Sequence, residues 1–144
     1  NYRMTNIQAA ILLGQLECFD YIKENKKRVF ERYRNNLKNF SNIKLQKQED
    51  NTSHSMWMLG VRFSGLKSYS VAKEYFYNNG IDTRPMFYSH KKHRHLDFLG
   101  DDDVATSINN SVVVFPSYPM LSDEEVDMIC DTILKFGDVC DDSN

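Results

Sequence analysis

A small α/β domain of the α+β kind, carried on one long amino-terminal helix, is the fold class that this sequence predicts. Three observations predict it. Apolar residues recur at three- and four-residue steps from about Thr5 to about Asn39. Two short apolar runs, Met56 to Phe63 and Ser111 to Phe115, alternate with further helical patterns. Two helix starts carry a capping box, in which a side-chain oxygen and a Gln or Glu three residues on satisfy orphan backbone amides.

The first box is Thr5 with Gln8, and behind it Ile7, Ile11, Leu12, Leu16, Phe19, Ile22, Val29, Phe30, Tyr33 and Leu37 keep helical spacing. Gly14 is the one weak point, costing about 1 kcal/mol against alanine. A helix of that length spans roughly 50 Å at about 1.5 Å per residue. A chain of 144 residues cannot bury it on every side, so it joins two domains or packs on another subunit. Gln46 to Ser53 is a polar loop, and Met56 to Phe63 a buried strand in which Trp57 packs into the core and His54, just before it, is a satisfied structural histidine. Ser70 to Asn79 is a short helix ended by Gly80, a good left-handed cap. Ile81 to Arg84 is a short strand stopped by Pro85. Gly100 to Asn110 is a helix whose positive end is met by Asp101, Asp102 and Asp103. Ser111 to Phe115 is a β-branched strand closed by Pro116. Ser122 with Glu125 opens the last helix, whose inner side is Val126, Ile129, Ile133 and Phe136. The domain plan is residues 1–40 for the helix and its entry turn, 41–137 for the small domain, and 138–144 for an acidic, frayed tail.

Composition excludes several classes. Hydrophobic residues at 41% and charged residues at 26% describe a globular protein, not a disordered one. The net charge of −2 gives no global attraction to nucleic acid or anionic membrane. The basic run Lys23 to Arg34 is broken by Glu24 and Glu31 and by an apolar face, and reads as a solvated helix side. Cys18, Cys130 and Cys140 make no C-x-x-C pair, so neither zinc site nor disulfide framework is expected, and a cytoplasmic compartment fits. The longest apolar run, Ala9 to Leu13, is too short to span a bilayer. The chain opens on Asn1 directly into patterned sequence, which reads as a piece of a longer protein.

Two segments carry side chains suited to chemistry. Asn1 and Arg3 stand beside a helix start, where unpaired amides and the dipole favour an anion, and an arginine can grip a phosphate bidentately. A surface arginine and a turn asparagine would read the same way. Thr83 to Leu96 combines Arg84, Phe87, Tyr88, His90, His93, His95, Lys91, Lys92 and Arg94. Rings that stack and cations that neutralise phosphate suit a nucleotide or sugar phosphate, and a single-stranded nucleic acid would use the same groups. The His-x-x-His-x-His spacing invites zinc, but no cysteine completes a ligand set and Asp97 is the only nearby acid.

Taken in order, four segments resemble the DegT/DnrJ/EryC1/StrS family of sugar aminotransferases. Asn1 to Glu17 resembles its tyrosine-containing turn into a long helix, and His54 to Met58 its aromatic strand. Gly80 to Tyr88 resembles its glycine-turn, arginine-proline, aromatic segment, and Phe115 to Leu121 its strand-end proline-serine motif, with Asp123 to Val126 opening the final helix. The resemblance covers about Asn1 to Phe136 and departs at Ser89, where the family favours proline, and in the register of the histidines. It implies the carboxy-terminal domain of a fold-type-I enzyme: the long helix, then a small, mainly antiparallel sheet with flanking helices. It further implies pyridoxal 5'-phosphate held mainly by an absent large domain, a homodimer, and transfer of an amino group from glutamate to a nucleotide-linked keto sugar. Asn1 and Arg3 would reach the cofactor phosphate of the partner subunit; Arg84, Phe87, Tyr88 and one of His90 or His93 would line the sugar pocket. No residue of this chain would be catalytic, since the Schiff-base lysine belongs to the large domain. A related dehydratase and a non-catalytic binding domain are the alternatives.

Overall fold

The computed structural model describes residues 2–96, 100 and 103–141. Its elements are α1 (Asn6–Glu17), α2 (Phe19–Leu37), β1 (Ile43–Leu45), β2 (Leu59–Phe63), α3 (Tyr69–Asn78), β3 (Arg84–Pro85), α4 (Asp103–Ser111), β4 (Val112–Phe115) and α5 (Asp123–Asp141), with a single 3₁₀ turn at His90–Lys92. The four strands form one sheet in the order β1-β2-β4-β3, with every pair antiparallel. β4 thus lies between β2 and β3, and the β2-α3-β3 crossover spans it. The expected α+β class with a small antiparallel sheet is what the chain adopts.

Both capping boxes form. Thr5 Oγ1 accepts from the Gln8 amide while Gln8 Oε1 accepts from the Thr5 amide at 2.9 Å. The Ser122 amide donates to Glu125 at 2.7 Å, and the Glu125 amide donates back to Ser122 Oγ. α3 ends in a Schellman motif: Gly80 takes φ +75°, and the Gly80 and Ile81 amides donate to Tyr77 and Phe76 carbonyls at 3.0 and 2.9 Å.

The long helix is not continuous. It breaks at Cys18 (φ −98°, ψ 8°), between α1 and α2. Gly14 stays helical. One residue with a non-helical ψ barely disturbs the recurrence of side chains, so periodicity runs through the break. The two halves also differ in role. α2 buries Val29, Tyr33 and Leu37, whereas no residue of α1 is buried and Ile7 is 74% exposed.

Several boundaries depart from the pattern. The strand expected over Ile81 to Arg84 is instead Arg84–Pro85, with Pro85 inside it, and Ser111 closes α4 and does not open β4. β2 begins at Leu59 instead of Met56, and Trp57 is 67% exposed rather than in the core. β1 was hidden in a stretch with no apolar run of its own. α5 continues through Gly137 to Asp141, so residues 138–141 are helical and not frayed. Gly137 stays helical, and a Cβ there would make only an ordinary packing contact, 3.4 Å from the Ile43 side chain. Asp101, Asp102 and Asp97 lie outside the described residues, while Asp103 stands in the first turn of α4.

The core lies on one face of the sheet. Leu59, Val61 and Phe63 of β2 and Val113 and Phe115 of β4 meet Ala72 and Phe76 of α3 and Val126, Ile129, Ile133 and Phe136 of α5. Phe76 stands edge-on to Phe115 at 4.8 Å, and Phe63 edge-on to Phe136 at 5.1 Å. Across the helices, Arg32 grips Asp127 with two nitrogens, Nε at 2.7 Å, and reaches Asp123 at 2.8 Å, where Arg28 also pairs. The buried Tyr33 hydroxyl donates to the Pro116 carbonyl at 3.0 Å, and burial holds its phenol far above the usual range, so it remains a donor. The basic run of α2 is therefore partly a clamp on α5, not simply a solvated face.

The Arg32 hydrogen bond, aided by one from Asn36, lowers the Asp127 carboxyl below its ordinary range. A group depressed in the folded state contributes stability above its unfolded pKa, near 3.9 for aspartate, and loses it as pH falls through the folded value. Asp127→Asn should therefore lower the urea midpoint at neutral pH, and its gap from the parent should close well below about pH 4. A gap that persists in acid would show that Asp127 acts through packing instead.

Candidate functional site

The candidate site is built by two loops that flank the sheet face opposite the core. The first runs from 46 to 58. His54 fixes its shape: its Nδ1 accepts the Met56 amide at 2.8 Å, its Nε2 meets Gln46 Oε1 at 3.0 Å, and its ring lies 5.5 Å from Phe30. His54 is the satisfied structural histidine expected of it. Met56 takes φ +54°, a rare conformation for a side chain of its size. That turn breaks the strand alternation and swings Trp57 outward.

Lys26 of α2 secures the same loop. Its ammonium donates to the Trp57 carbonyl at 3.0 Å and to Ser117 O and Oγ at 2.6 and 3.3 Å, and burial lowers its pKa. A lysine occupied by three oxygens is an anchor, not a Schiff-base nucleophile.

The second loop is the arginine-aromatic segment. Tyr69 at the start of α3 donates to the Thr83 carbonyl at 2.6 Å, β3 pairs Arg84 with Val114, and Asn109 donates to the Met86 carbonyl at 2.8 Å. These ties bring Phe87 against Trp57, with ring centroids 6.0 Å apart and planes 28° from parallel. Ser89 is buried, and its neighbours Tyr88 and His90 are exposed. His93 and His95 stack edge to face at 5.7 Å. Among the described residues no group of three His, Cys, Asp or Glu side chains stands ready to hold a metal ion.

Antiparallel register decides what else faces this side. Lys44 pairs with Arg62, Arg62 with Val112, Gly60 with Val114, and Val114 with Arg84. Paired residues share a face, so Lys44, Arg62, Val112, Val114 and Arg84 all point away from the core. With the two loops, Lys44, Arg62, Val112 and Val114 enclose a groove of about 920 Å³ whose apolar walls include Trp57, Met58, Met86, Phe87 and Ile108; Arg84 is not one of its walls. Of the predicted site residues, the groove walls therefore include Phe87, add Trp57, which the pattern assigned to the core, and leave out Arg84, Tyr88, His90 and His93.

Arg3 sits elsewhere. It is exposed, one residue after Tyr2 (φ +50°) and two before the Thr5 cap of α1. No described hydrogen bond, ion pair or ring contact joins it to residues 84–93, and Asn1 lies outside the described residues. A free guanidinium beside the amino end of a twelve-residue helix fits one end of an anionic group. Burial pushes the Cys130 thiol up to about 12, which removes it as a nucleophile.

Comparisons with known proteins converge. Residues 1–134 match the DegT/DnrJ/EryC1/StrS aminotransferase family. The chain is 30% identical over 137 residues to a GDP-perosamine synthase of Escherichia coli O157:H7, covering 94% of this chain and 37% of that protein. It is 32% identical over 143 residues to the GDP-perosamine synthase of Vibrio cholerae, covering 94% and 38%. The chain thus spans little more than a third of the curated relatives it matches. In fold it is similar to the putative sugar aminotransferase Spr1654 from Streptococcus pneumoniae in its PMP form (TM-score 0.82, 23% identity, 96% of this chain and 36% of that one). It is equally similar to Helicobacter pylori PseC, an aminotransferase involved in the biosynthesis of pseudoaminic acid (TM-score 0.82, 17% identity, 96% and 39%).

Trp57 is the sole tryptophan, so the groove reports on itself. Phe87→Ala should alter the near-ultraviolet dichroism of Trp57, losing about 0.5–1.5 kcal/mol from the ring pair on top of the area that the ring buries. An unchanged Trp57 signal would mean that the two rings do not stack in solution.

Proposed function

The chain belongs to the DegT/DnrJ/EryC1/StrS aminotransferase family, and from that premise we propose that it is the carboxy-terminal portion of a pyridoxal-phosphate-dependent enzyme. That enzyme moves an amino group from glutamate to a keto sugar carried on a nucleoside diphosphate, as a homodimer in the cytoplasm. The family match over residues 1–134 carries the reading. The relatives named for GDP-perosamine point to a GDP-linked sugar.

The residues present fit the phosphate end of the cofactor and not its covalent centre. Arg3 is exposed and faces no described carboxylate, whereas Lys26 is spent on carbonyl and hydroxyl oxygens. Pyridoxal phosphate, when bound, supplies the electron sink for proton removal from carbon. In this reading Arg3, with Asn1, donates across the subunit boundary to the phosphate. Arg84 neutralises substrate phosphate, the exposed faces of Phe87 and Tyr88 lie along the sugar or base, and His90 or His93 donates to a sugar hydroxyl. α1 supports the homodimer: it is rich in exposed Ile and Leu, which a helix displays when another surface is due to cover it. The 144-residue chain alone does not turn over.

The test is amino transfer from isotopically labelled glutamate to a GDP-linked keto sugar, read by product mass, with protein from the full reading frame. Label should enter the sugar with that protein and not with the 144-residue chain. Turnover by the short chain, or none by the full protein, would overturn the reading. In the full protein, Arg3→Ala should weaken pyridoxal phosphate binding by about tenfold, the loss of one charge-assisted hydrogen-bonded pair, while dimers persist in sedimentation. Unchanged cofactor affinity would refute the phosphate role.

A further inference from the structure

On the outward face of the sheet, we propose, Lys44, Arg62 and Lys67 form a binding site for a phosphate or diphosphate group. The three cations line a concave pocket of about 320 Å³ together with Ser64, Ser107 and Ser111. The pocket has no Asp or Glu among its walls, and no described carboxylate lies within ion-pair distance of any of the three. Three uncompensated positive charges at one concavity are costly unless an anion joins them.

The arginine is posed for the task. Its Nε donates to Ser111 Oγ at 3.1 Å and its Nη2 to Ser107 Oγ at 3.0 Å, which fixes the plane of the guanidinium. The Ser111 hydroxyl proton is itself taken by the Ser107 carbonyl at 2.7 Å. Two of the five guanidinium N–H groups are thereby used, leaving a fork free to grip two oxygens of one phosphate. Lys44 from β1 and Lys67, four residues beyond β2, supply mobile point charges. One feature opposes an anion: α4 ends at Ser111, and its carboxyl end carries roughly half a negative charge. Three full charges outweigh it.

Lys44 and Arg62 also wall the groove that holds Trp57 and Phe87. The carboxylate of Glu49 in that groove is already paired with Lys47 at 3.0 Å. An anion in the pocket can therefore belong to a free phosphate or to a nucleotide whose base reaches the rings. Arg84, Phe87, Tyr88 and the histidines are not walls of this pocket, so the site adjoins the substrate wall proposed above without sharing a residue with it, and its test needs no turnover.

The test is isothermal titration of the 144-residue chain at low ionic strength with pyrophosphate, GDP and guanosine, alongside Trp57 emission. Pyrophosphate should bind, added salt should weaken it, and Arg62→Gln and Lys67→Gln should each weaken it by about tenfold. Lys67 makes no described side-chain contact, so its substitution keeps the fold even if that of Arg62 does not. GDP that binds more tightly than pyrophosphate and shifts Trp57 emission would identify a nucleotide as the source. Equal affinities with Trp57 emission unmoved would identify free phosphate. No binding of pyrophosphate or GDP at concentrations on the order of millimolar, or binding that both substitutions leave intact, would overturn the site.

Discussion

A sheet has two faces, and this chain has enough well-packed helix to cover one. Side chains alternate along β2, so Leu59, Val61 and Phe63 enter the core while Gly60 and Arg62 face away. α2, α3 and α5 close over the first set. The second set is left with two loops and the edge of α4, and so becomes a lined groove instead of a second core. Slip the β2–β4 register by one residue and both faces fail together: Arg62 would enter the aromatic cluster and Phe63 would lie in the groove. α2 secures that arrangement from behind, because Lys26 and Tyr33 hold the 116–117 segment that leaves β4.

Much of the fold was legible because it rests on local chemistry. The two capping boxes, the Gly80 cap and the Val112–Phe115 strand each announce themselves within a few residues. What escaped was non-local. β1 is three residues long and exists because Ile43, Lys44 and Leu45 find Phe63, Arg62 and Val61. The acidic composition after Gly137 read as a frayed tail, yet α5 continues to Asp141 and still buries Cys140. The Cys18 break leaves the spacing of apolar residues intact, so pattern alone sees one helix.

The candidate site divides the same way. Arg84, Phe87 and Tyr88 were marked by their crowding in one segment, and the structure exposes all three. Trp57 was assigned to the core because a tryptophan in an apolar run packs inward by default. The left-handed turn at Met56, held by the His54 ring, reverses that, and a positive φ at a non-glycine residue has no local signature. Arg62 and Lys44 carry no motif at all. They become neighbours only through strand pairing, and the serines of α4 that orient Arg62 lie more than forty positions along the chain.

α1 has a consequence for the life of the protein in its cell. Twelve residues with nothing buried, rich in isoleucine and leucine, form the kind of surface that chaperones hold and quality-control proteases seize. Whatever surface covers α1, from the same polypeptide or another, would hide that flag, and a copy left without the cover would keep flying it. Such a copy would be open to clearance on account of one apolar helix, with the folded sheet behind it still sound.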